Sequence, residues 1–271
     1  MGQDNLQYAG YLNTPSLWEN NMLMGIKQFV MDSNVNHSLN ITINENLMLG
    51  KRAEYFFRNY IEYTDEYRIV LANKQIHNKQ ITIGEFDFIL AKNNSFLHVE
   101  CVYKFYLFNP ENVINNELDG WIGPNNKDYL VAKLNKLKNH QLPLLYNEHA
   151  KELLEEHHIN LSAIQQEVCF KAQLFLNIKF KPPKFEFLNK ACITGFWMYY
   201  KDFLENDNYV NYKFYMPKKQ DWLMPTKNNI NWLTYNNFCN TLKNVISQRK
   251  SPLCWFKNTK GNIKKGFIVW W

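Results

Sequence analysis

The sequence predicts an α/β (α+β) protein, with a mixed central sheet flanked by helices and a strand-rich C-terminal domain. Of the 271 residues, 46% are hydrophobic and 16% are aromatic, which is enough apolar surface for a packed core. Helix-periodic and strand-like segments both occur in the first part of the chain, whereas strand-like segments predominate after residue 168. We therefore expect two domains, residues 1–165 with an N-terminal helical extension, and residues 166–271.

Apolar spacing predicts two helices before the first strand. Residues 15–31 favour an N-terminal helix. Residues 43–63 carry apolar side chains at the i, i+3 and i+4 intervals of a helix packed on one face. Thr42 and Glu45 have the spacing of a capping box at the start of this second helix.

Strand formers and turn residues predict the remaining elements. A helix over 127–142 should be capped by Asn125 or Asn126 and end at Pro143. Further helices are expected near 147–157 and over 234–249. The expected strands are 67–73, 80–91, 96–108, 169–180, 193–203, 209–216, 253–257 and 265–271.

The sequence argues against several classes of protein. It contains no stretch of 18 apolar residues, so no transmembrane helix is expected. Its start lacks a basic region followed by an apolar one, which argues against a secretory signal and predicts a cytoplasmic protein. The five cysteines form no C-x-x-C pair, which indicates reduced thiols and no zinc site.

Charge is unevenly distributed along the chain. Residues 171–271 hold 17 Lys and Arg against 5 Asp and Glu, a net charge of +12, whereas residues 1–170 have a net charge of −6. The basic part also holds 22 of the 43 aromatic residues. Basic charge interleaved with aromatic rings suits a phosphate backbone and stacked bases, so nucleic acid is the expected partner. The alternative is a solvated lysine surface over an aromatic core.

A predicted hairpin over residues 84–107 carries charged side chains among strand formers. Because side chains alternate along a strand, Glu100 and Lys104 share one face. Asp87 should lie opposite Glu100, because the two residues are equally distant from the centre of the turn. Facing carboxylates repel each other, and a divalent cation between them would relieve the repulsion. The alternative is an ordinary salt bridge of Lys104 with Asp87 or Glu100 on an exposed sheet face.

The helices before and after this hairpin add polar side chains. Glu54 lies about 100° from the centre of its helix's apolar stripe, where it could lean over the sheet edge or pair with Lys51 or Arg58. Gln141 is the polar member of an otherwise apolar stripe, which Lys133 flanks. A buried amide needs partners, so Gln141 either bonds a backbone group at the helix end or reaches a polar site.

The order of these residues resembles the PD-(D/E)xK, restriction-endonuclease-like nuclease superfamily. More closely, the segments "LGKRAEYFF", "GEFDFIL", "HVECVYKFYL" and "GPNNKDYLVAKLNKLKNHQLPL" resemble an uncharacterised bacterial domain family assigned to that superfamily. The resemblance covers about residues 45–145. It implies a restriction-endonuclease-like core and hydrolysis of phosphodiester bonds in DNA or RNA, with Mg²⁺ or Mn²⁺ as the cofactor.

The resemblance implies a role for each matching position. Asp87, Glu100 and the first-helix carboxylate Glu54 would be metal ligands and catalytic residues. Lys104 would be the catalytic lysine.

The candidate nucleic-acid contacts are Arg52, Lys133, Gln141, Lys218 and Lys219.

One position departs from the pattern of the superfamily. The lysine comes four residues after Glu100 rather than two, and Val102 occupies the usual place. Lys104 is therefore displaced by about 6.6 Å along the strand. Two other hypotheses stay open, a nuclease-like module that binds nucleic acid without cleaving it, and a protein-interaction domain. The sequence indicates no oligomeric state.

Overall fold

The computed structural model describes residues 2–19, 22–32, 37–39, 43–181 and 183–271. They form two compact units, each built from separate stretches of chain. The hairpin unit comprises Ser16–Tyr103 and Ala132–Lys171, and the terminal unit comprises Met1–Pro15, Lys104–Val131 and Ala172–Trp271. The division into domains at residue 165 stays a prediction, because compactness alone does not establish that a segment folds independently.

The protein has the mixed α/β architecture that its sequence predicts, with a large mixed sheet and flanking helices. Its helices are α1 (Gln3–Leu12), α2 (Leu49–Thr64), α3 (Leu130–Lys136), α4 (Lys151–Glu156), α5 (Tyr200–Leu204) and α6 (Tyr235–Ser247). Its strands are β1 (Met22–Leu23), β2 (Ile26–Lys27), β3 (Arg68–Asn78), β4 (Ile81–Lys92), β5 (Ser95–Phe108), β6 (Trp121–Ile122), β7 (Ile164–Asn177), β8 (Ile193–Tyr199), β9 (Lys213–Tyr215), β10 (Leu253–Lys257) and β11 (Ile263–Val269).

In the hairpin unit the strands follow the order β3-β4-β5-β7. β4 and β5 form the predicted antiparallel hairpin, with Asn93 in the left-handed backbone region (φ 52°) that asparagine adopts more readily than most residues. Phe57 of α2 packs on Phe88 of β4 with ring centroids 5.0 Å apart, which holds the helix beside the strand. The predicted apolar stripe of α2 is buried, and its members include Ala53, Phe56, Phe57, Tyr60 and Ile61.

In the terminal unit, β8 lies between β7 and β11 and runs parallel to both. β10 pairs antiparallel with β11 on one side and with β9 on the other. Phe238 of α6 stacks on Phe214 of β9, with ring centroids 4.4 Å apart. The predicted C-terminal helix is present as α6, and the strands predicted over 169–180, 253–257 and 265–271 are present as β7, β10 and β11. The strand predicted over 193–203 ends at Tyr199, where α5 begins, and the strand predicted over 209–216 covers only Lys213–Tyr215. None of the helices in the described part of the chain has the length and hydrophobicity that a membrane span requires.

The predicted helix over residues 15–31 is wrong. In the described part of this segment, β1 and β2 pair as a short antiparallel hairpin. Met24 and Gly25 form its turn with φ values of 52° and 81°, and a two-residue hairpin turn favours positive φ at both positions. The N-terminal helix is instead α1, which ends before Pro15.

The predicted helix over 127–142 is shorter and changes its geometry along its length. α3 is followed by a π-helical turn, Leu137–Gln141, and then by a 3₁₀ helix, Leu142–Tyr146. Pro143 has no N–H, and its ring crowds the carbonyl four residues earlier, which disfavours a regular α-helix at this point.

The caps of the two predicted helices also differ from expectation. α2 begins after Met48, which forms no side-chain cap, and Thr42 of the predicted capping box lies outside the described residues. The amide oxygens of the two asparagines before α3 accept hydrogen bonds elsewhere, Asn125 from the Ser251 N–H and Asn126 from the Tyr129 hydroxyl.

Candidate metal centre

Three carboxylates in the hairpin unit lie close enough to share one metal ion. Glu85 and Asp87 are two residues apart on β4 and share a face, and Glu54 reaches the same place from α2. One carboxylate oxygen of each lies within 4.8 Å of those of the other two. Oxygen ligands of this kind suit hard divalent cations. The three residues, which we call the acidic cluster, could therefore hold a metal ion.

Lys51 and Asn73 bind the two glutamates of the acidic cluster. Lys51 Nζ lies 2.8 Å from Glu54 Oε2 and 2.7 Å from Glu85 Oε1. Asn73 donates its amide to Glu54 and, at 3.4 Å, to Glu85. Its backbone lies in the left-handed region (φ 51°) within β3, a conformation that asparagine tolerates better than most residues. Asn73 therefore combines a left-handed backbone conformation with an amide group that binds the acidic cluster.

Glu100 on β5 lies beside Asp87. The β4–β5 register pairs Phe88 with Val99, so the next positions along the ladder are Asp87 and Glu100. Asp87 is 8% exposed and Glu100 is fully buried. Asp87 Oδ2 accepts a hydrogen bond from the backbone N–H of Cys101 at 2.8 Å. Two buried carboxyl groups therefore lie on neighbouring strands, close enough for their charges to repel each other.

Burial and repulsion raise the pKa of three of these carboxyl groups. The pKa of Asp87 is raised to about 7, first by burial and then by the charge of Glu100. Burial, followed by the charge of Asp87, raises the pKa of Glu54 to about 7. Burial also raises the pKa of Glu100 to about 7. Burial raises the pKa of Glu85 as well, but the hydrogen bond and charge of Lys51, together with hydrogen bonds from Gln75 and Asn73, outweigh it, and the net pKa is lowered.

One oxygen of Glu100 is held by a buried histidine whose proton can be placed. Gln166 Nε2 lies 2.7 Å from the Leu142 carbonyl, which can only accept, and 3.0 Å from His98 Nδ1. His98 Nδ1 is therefore an acceptor, and the ring proton is on Nε2, which donates to Glu100 Oε1 at 3.0 Å. Burial lowers the pKa of His98 to about 4, so the ring is neutral near pH 7.

Gln141 holds the other oxygen of Glu100. Lys133 Nζ can only donate, and it lies 2.7 Å from Gln141 Oε1. Gln141 Nε2 therefore faces Glu100 Oε2, at 2.5 Å. Of the two expected roles of this amide, the structure shows the contact with a polar site. Because both oxygens of Glu100 have donors, its carboxyl group is fixed in place beside the acidic cluster.

The structure brings together five of the residues singled out from the sequence, and Lys104 is not among them. Lys104 Nζ lies 2.5 Å from Asp128 Oδ2, and both residues belong to the terminal unit. This ion pair differs from both expectations for Lys104, a shared site with the carboxylates and a salt bridge to Asp87 or Glu100. The residues brought together in the hairpin unit are Glu54, Asp87, Glu100, Lys133 and Gln141.

The other candidate nucleic-acid contacts differ in exposure. Arg52 is 2% exposed, and its guanidinium donates to the backbone carbonyls of Asn44 and Leu47. It therefore stabilises the chain before α2 and offers little charged surface to a phosphate. Lys218 and Lys219 are exposed in the terminal unit, with Lys219 Nζ 5.9 Å from the centre of the Trp222 ring.

Sequence reasoning assigned no site role to several residues that the structure places at the site. Glu85 shares its strand face with Asp87, which is a signal in the sequence. Lys51 was expected only as a helix partner of Glu54, and that pair is present. Asn73 and Gln166 have no such signal, because nothing in their local sequence distinguishes them from other polar residues near strands.

The fold and the site define a mixed α/β protein with a carboxylate cluster that could hold a metal ion. The chain belongs to the family described as a domain of unknown function (DUF1853), whose model matches residues 8–269. Comparison with curated proteins and with solved structures gave no match. Family membership therefore covers nearly the whole chain and assigns it no function.

Proposed function

We propose that this protein is a divalent-metal-dependent nuclease that hydrolyses phosphodiester bonds of DNA or RNA. The observation that carries the proposal is the acidic cluster, with Glu100 buried beside it and Lys51 and Lys133 within its reach. Metal-dependent hydrolysis of a phosphodiester needs anionic ligands for the ion and cations that stabilise charge on the phosphate oxygens.

The donor set fits a hard divalent cation. Glu54, Glu85 and Asp87 would hold Mg²⁺ or Mn²⁺ through carboxylate oxygens. The raised pKa values of Asp87 and Glu54 have their origin in burial and crowded negative charge, which a bound cation would relieve. When bound, such an ion acts as a Lewis acid and lowers the pKa of a water molecule that it binds.

The chain's own residues would supply the other functions. Glu100, held by His98 and Gln141, has a pKa of about 7 and could accept a proton from the attacking water. Lys51, which contacts the two glutamates of the acidic cluster, could donate to a phosphate oxygen instead.

The position of Lys104 favours a second candidate function, a nuclease-like module that binds nucleic acid without cleaving it. The resemblance implies that Lys104 is the catalytic lysine although it stands two residues beyond the usual place, and its ammonium group instead binds Asp128. An active enzyme would therefore need another lysine near the carboxylates, and Lys51 and Lys133 are the candidates.

A cleavage assay tests the proposal and separates it from the second candidate. The purified protein would be incubated with single-stranded and duplex DNA and RNA while Mg²⁺ or Mn²⁺ is titrated. We expect cleavage that requires the metal ion and stops on addition of EDTA. Binding without cleavage of any of these substrates would favour the second candidate, and neither binding nor cleavage would contradict both.

Lys133→Met should lower the cleavage rate more than Lys104→Met does. Lys133 orients Gln141, which holds Glu100, and loss of such an orienting contact typically costs about 10–100-fold in activity. Lys136→Met is the matched control, because Lys136 is an exposed lysine on the same helix. We expect the rates of the Lys104 and Lys136 variants to stay within about threefold of the wild type. A loss of cleavage rate confined to Lys104→Met would instead support the catalytic role that the resemblance implies for Lys104.

Nucleic-acid affinity should fall steeply with salt concentration. Each phosphate contact contributes a slope of about −0.9 for duplex DNA and about −0.7 for single strands in a plot of log affinity against log salt. Lys218→Glu combined with Lys219→Glu should make the slope shallower, because both lysines are exposed in the basic part of the chain. A matched double change at two exposed lysines of the hairpin unit, Lys79→Glu with Lys151→Glu, should have a smaller effect on the slope. Equal slopes in the wild type and both double variants would exclude the basic part of the chain as the nucleic-acid-binding surface.

A further inference from the structure

Lys265 is a buried lysine in the terminal unit, separate from the acidic cluster. It lies on β11 and is 7% exposed. Its ammonium group has two long contacts, each of 3.4 Å, to Gln173 Oε1 and to the backbone carbonyl of Trp222. Both partners are neutral, so the positive charge is buried without a charged partner among the described residues. Buried charges of this kind are rare unless something pairs with them.

The residues around Lys265 do not supply the missing negative charge. Asp221, which precedes Trp222, directs both of its carboxylate oxygens to the amide groups of Gln3 and Gln7 at 2.7 Å. Burial lowers the pKa of Lys265 to about 8, and no nearby charge contributes to that shift. The amine is therefore still largely protonated at pH 7.

Lys265 lines a cavity of about 240 Å³ in the terminal unit. The volume corresponds to roughly eight water molecules, which is enough for a small organic molecule but below the usual size of a cofactor pocket. Apolar side chains form part of the wall, and they include Ile193, Leu223 and Pro225.

The hydroxyl groups of the cavity are donors to the backbone. Thr14 Oγ1 donates to the Gly10 carbonyl at 2.7 Å, and Thr194 Oγ1 donates to the Cys192 carbonyl at 2.9 Å. Neither hydroxyl proton is available to a ligand in this arrangement. The cationic donor in the wall of the cavity is the ammonium group of Lys265. A single ammonium group beside an apolar wall suits a monoanion better than a phosphate, which needs several donors.

We propose that this cavity binds a small organic carboxylate, whose carboxylate group pairs with the Lys265 ammonium and whose apolar part lies against Ile193, Leu223 and Pro225. The site is independent of the nuclease proposal, because every residue in it belongs to the terminal unit. A bound carboxylate would supply the charged partner that the buried ammonium lacks.

Thermal unfolding at pH 7 tests this site, with sodium butyrate or sodium benzoate as the probe. The control salts are sodium chloride and sodium phosphate at equal ionic strength. We expect a saturable rise of about 2–4 °C in the wild type with a carboxylate. The rise should persist in Lys264→Met, because Lys264 is exposed on the same strand, and disappear in Lys265→Met. Equal melting temperatures in carboxylate and chloride, or a larger rise with phosphate, would overturn the proposal.

A labelling experiment on the wild-type protein covers the case in which Lys265→Met does not fold. Trinitrobenzenesulfonate reacts with the unprotonated amine, and peptide mass spectrometry locates each label. We expect saturating butyrate to slow the labelling of Lys265 at least threefold and to leave that of Lys264 unchanged. Labelling of Lys265 at the same rate with and without butyrate would show that the cavity does not bind the carboxylate.

Discussion

Asp87→Asn should reduce metal-dependent cleavage by about 100-fold or more while the protein stays folded. Asp87 is the buried member of the acidic cluster; its charge raises the pKa of Glu54, and its own pKa is raised by the charge of Glu100. A catalytic metal ion stabilises the transition state by several kcal/mol, and each 1.36 kcal/mol corresponds to a factor of ten in rate. Asparagine has nearly the same shape and can still accept the hydrogen bond from the Cys101 N–H.

The controls for this variant come from α2. Glu54→Gln should also reduce cleavage strongly, whereas Glu62→Gln on the same helix should leave it unchanged, because Glu62 is exposed and pairs with Arg58. Without metal, Asp87→Asn should melt at or above the wild-type temperature at pH 8, since it removes repulsion between buried carboxylates. Cleavage by Asp87→Asn within threefold of the wild-type rate would exclude the acidic cluster as the catalytic centre.

The spacing of apolar residues along the sequence was sufficient to predict α2, β4 and β5 of the hairpin unit. The apolar stripe of α2 and the alternation along β4 and β5 follow from spacing alone, and these place Glu54, Asp87 and Glu100. The turn at Asn93 fixes the register, because a shift of one residue would move every side chain to the other face.

The remaining contacts could not be predicted, because they depend on tertiary packing. Asn73 donates to Glu54 from a left-handed backbone position within β3, and no sequence pattern indicates either feature. Helical spacing places Gln141 on the inward stripe but does not say whether its partner is a backbone group or a polar site, and the structure shows Glu100 as the partner, reached from a π-helical turn. Lys104 pairs with Asp128, a residue 24 positions later, and strand parity carries no information about such a partner.

The N-terminal error has a different physical origin. Residues 15–31 have an apolar content that suits a helix, but Gly25 allows a tight turn, and Met24 accepts positive φ beside it. The chain gains the pairing of β1 with β2 and the hydrogen bond from the Phe29 N–H to the Val168 carbonyl. Tertiary pairing therefore outweighs the weak local preference for a helix.

Without metal, the protein should lose stability as the pH rises from 6 to 8. The carboxyl groups of Glu54, Asp87 and Glu100 have folded-state pKa values of about 7, above their ordinary values of 4.5, 3.8 and 4.5. The folded protein therefore binds more protons than the unfolded chain between about pH 4 and pH 7. Stability from these groups is complete below the unfolded pKa and is lost as the pH rises through 7.

His98 acts in the opposite direction, and the smaller part of its effect falls in this range, because its unfolded-state pKa is 6.5. Its pKa is lowered from 6.5 to about 4, so the unfolded chain binds the extra proton below pH 6.5 and stability falls as the solution becomes acidic. Between pH 6 and pH 8 we expect a net loss of about 3 kcal/mol, or roughly 6–12 °C in melting temperature. A scanning fluorimetry series in EDTA would measure it.

Mg²⁺ or Mn²⁺ should reverse this loss, because the ion binds the deprotonated carboxylates that repel one another in its absence. A ligand that binds only the folded state stabilises it by RT ln(1 + [L]/Kd), about 2.7 kcal/mol at 100 times Kd. The rise in melting temperature should be larger at pH 8 than at pH 6, where protons compete with the ion. Asp87→Asn should show both a shallower pH dependence and little response to metal, whereas Glu62→Gln should match the wild type. Stability that rises between pH 6 and pH 8 in EDTA would contradict the pKa assignments, and an undiminished metal response in Asp87→Asn would place the ion elsewhere.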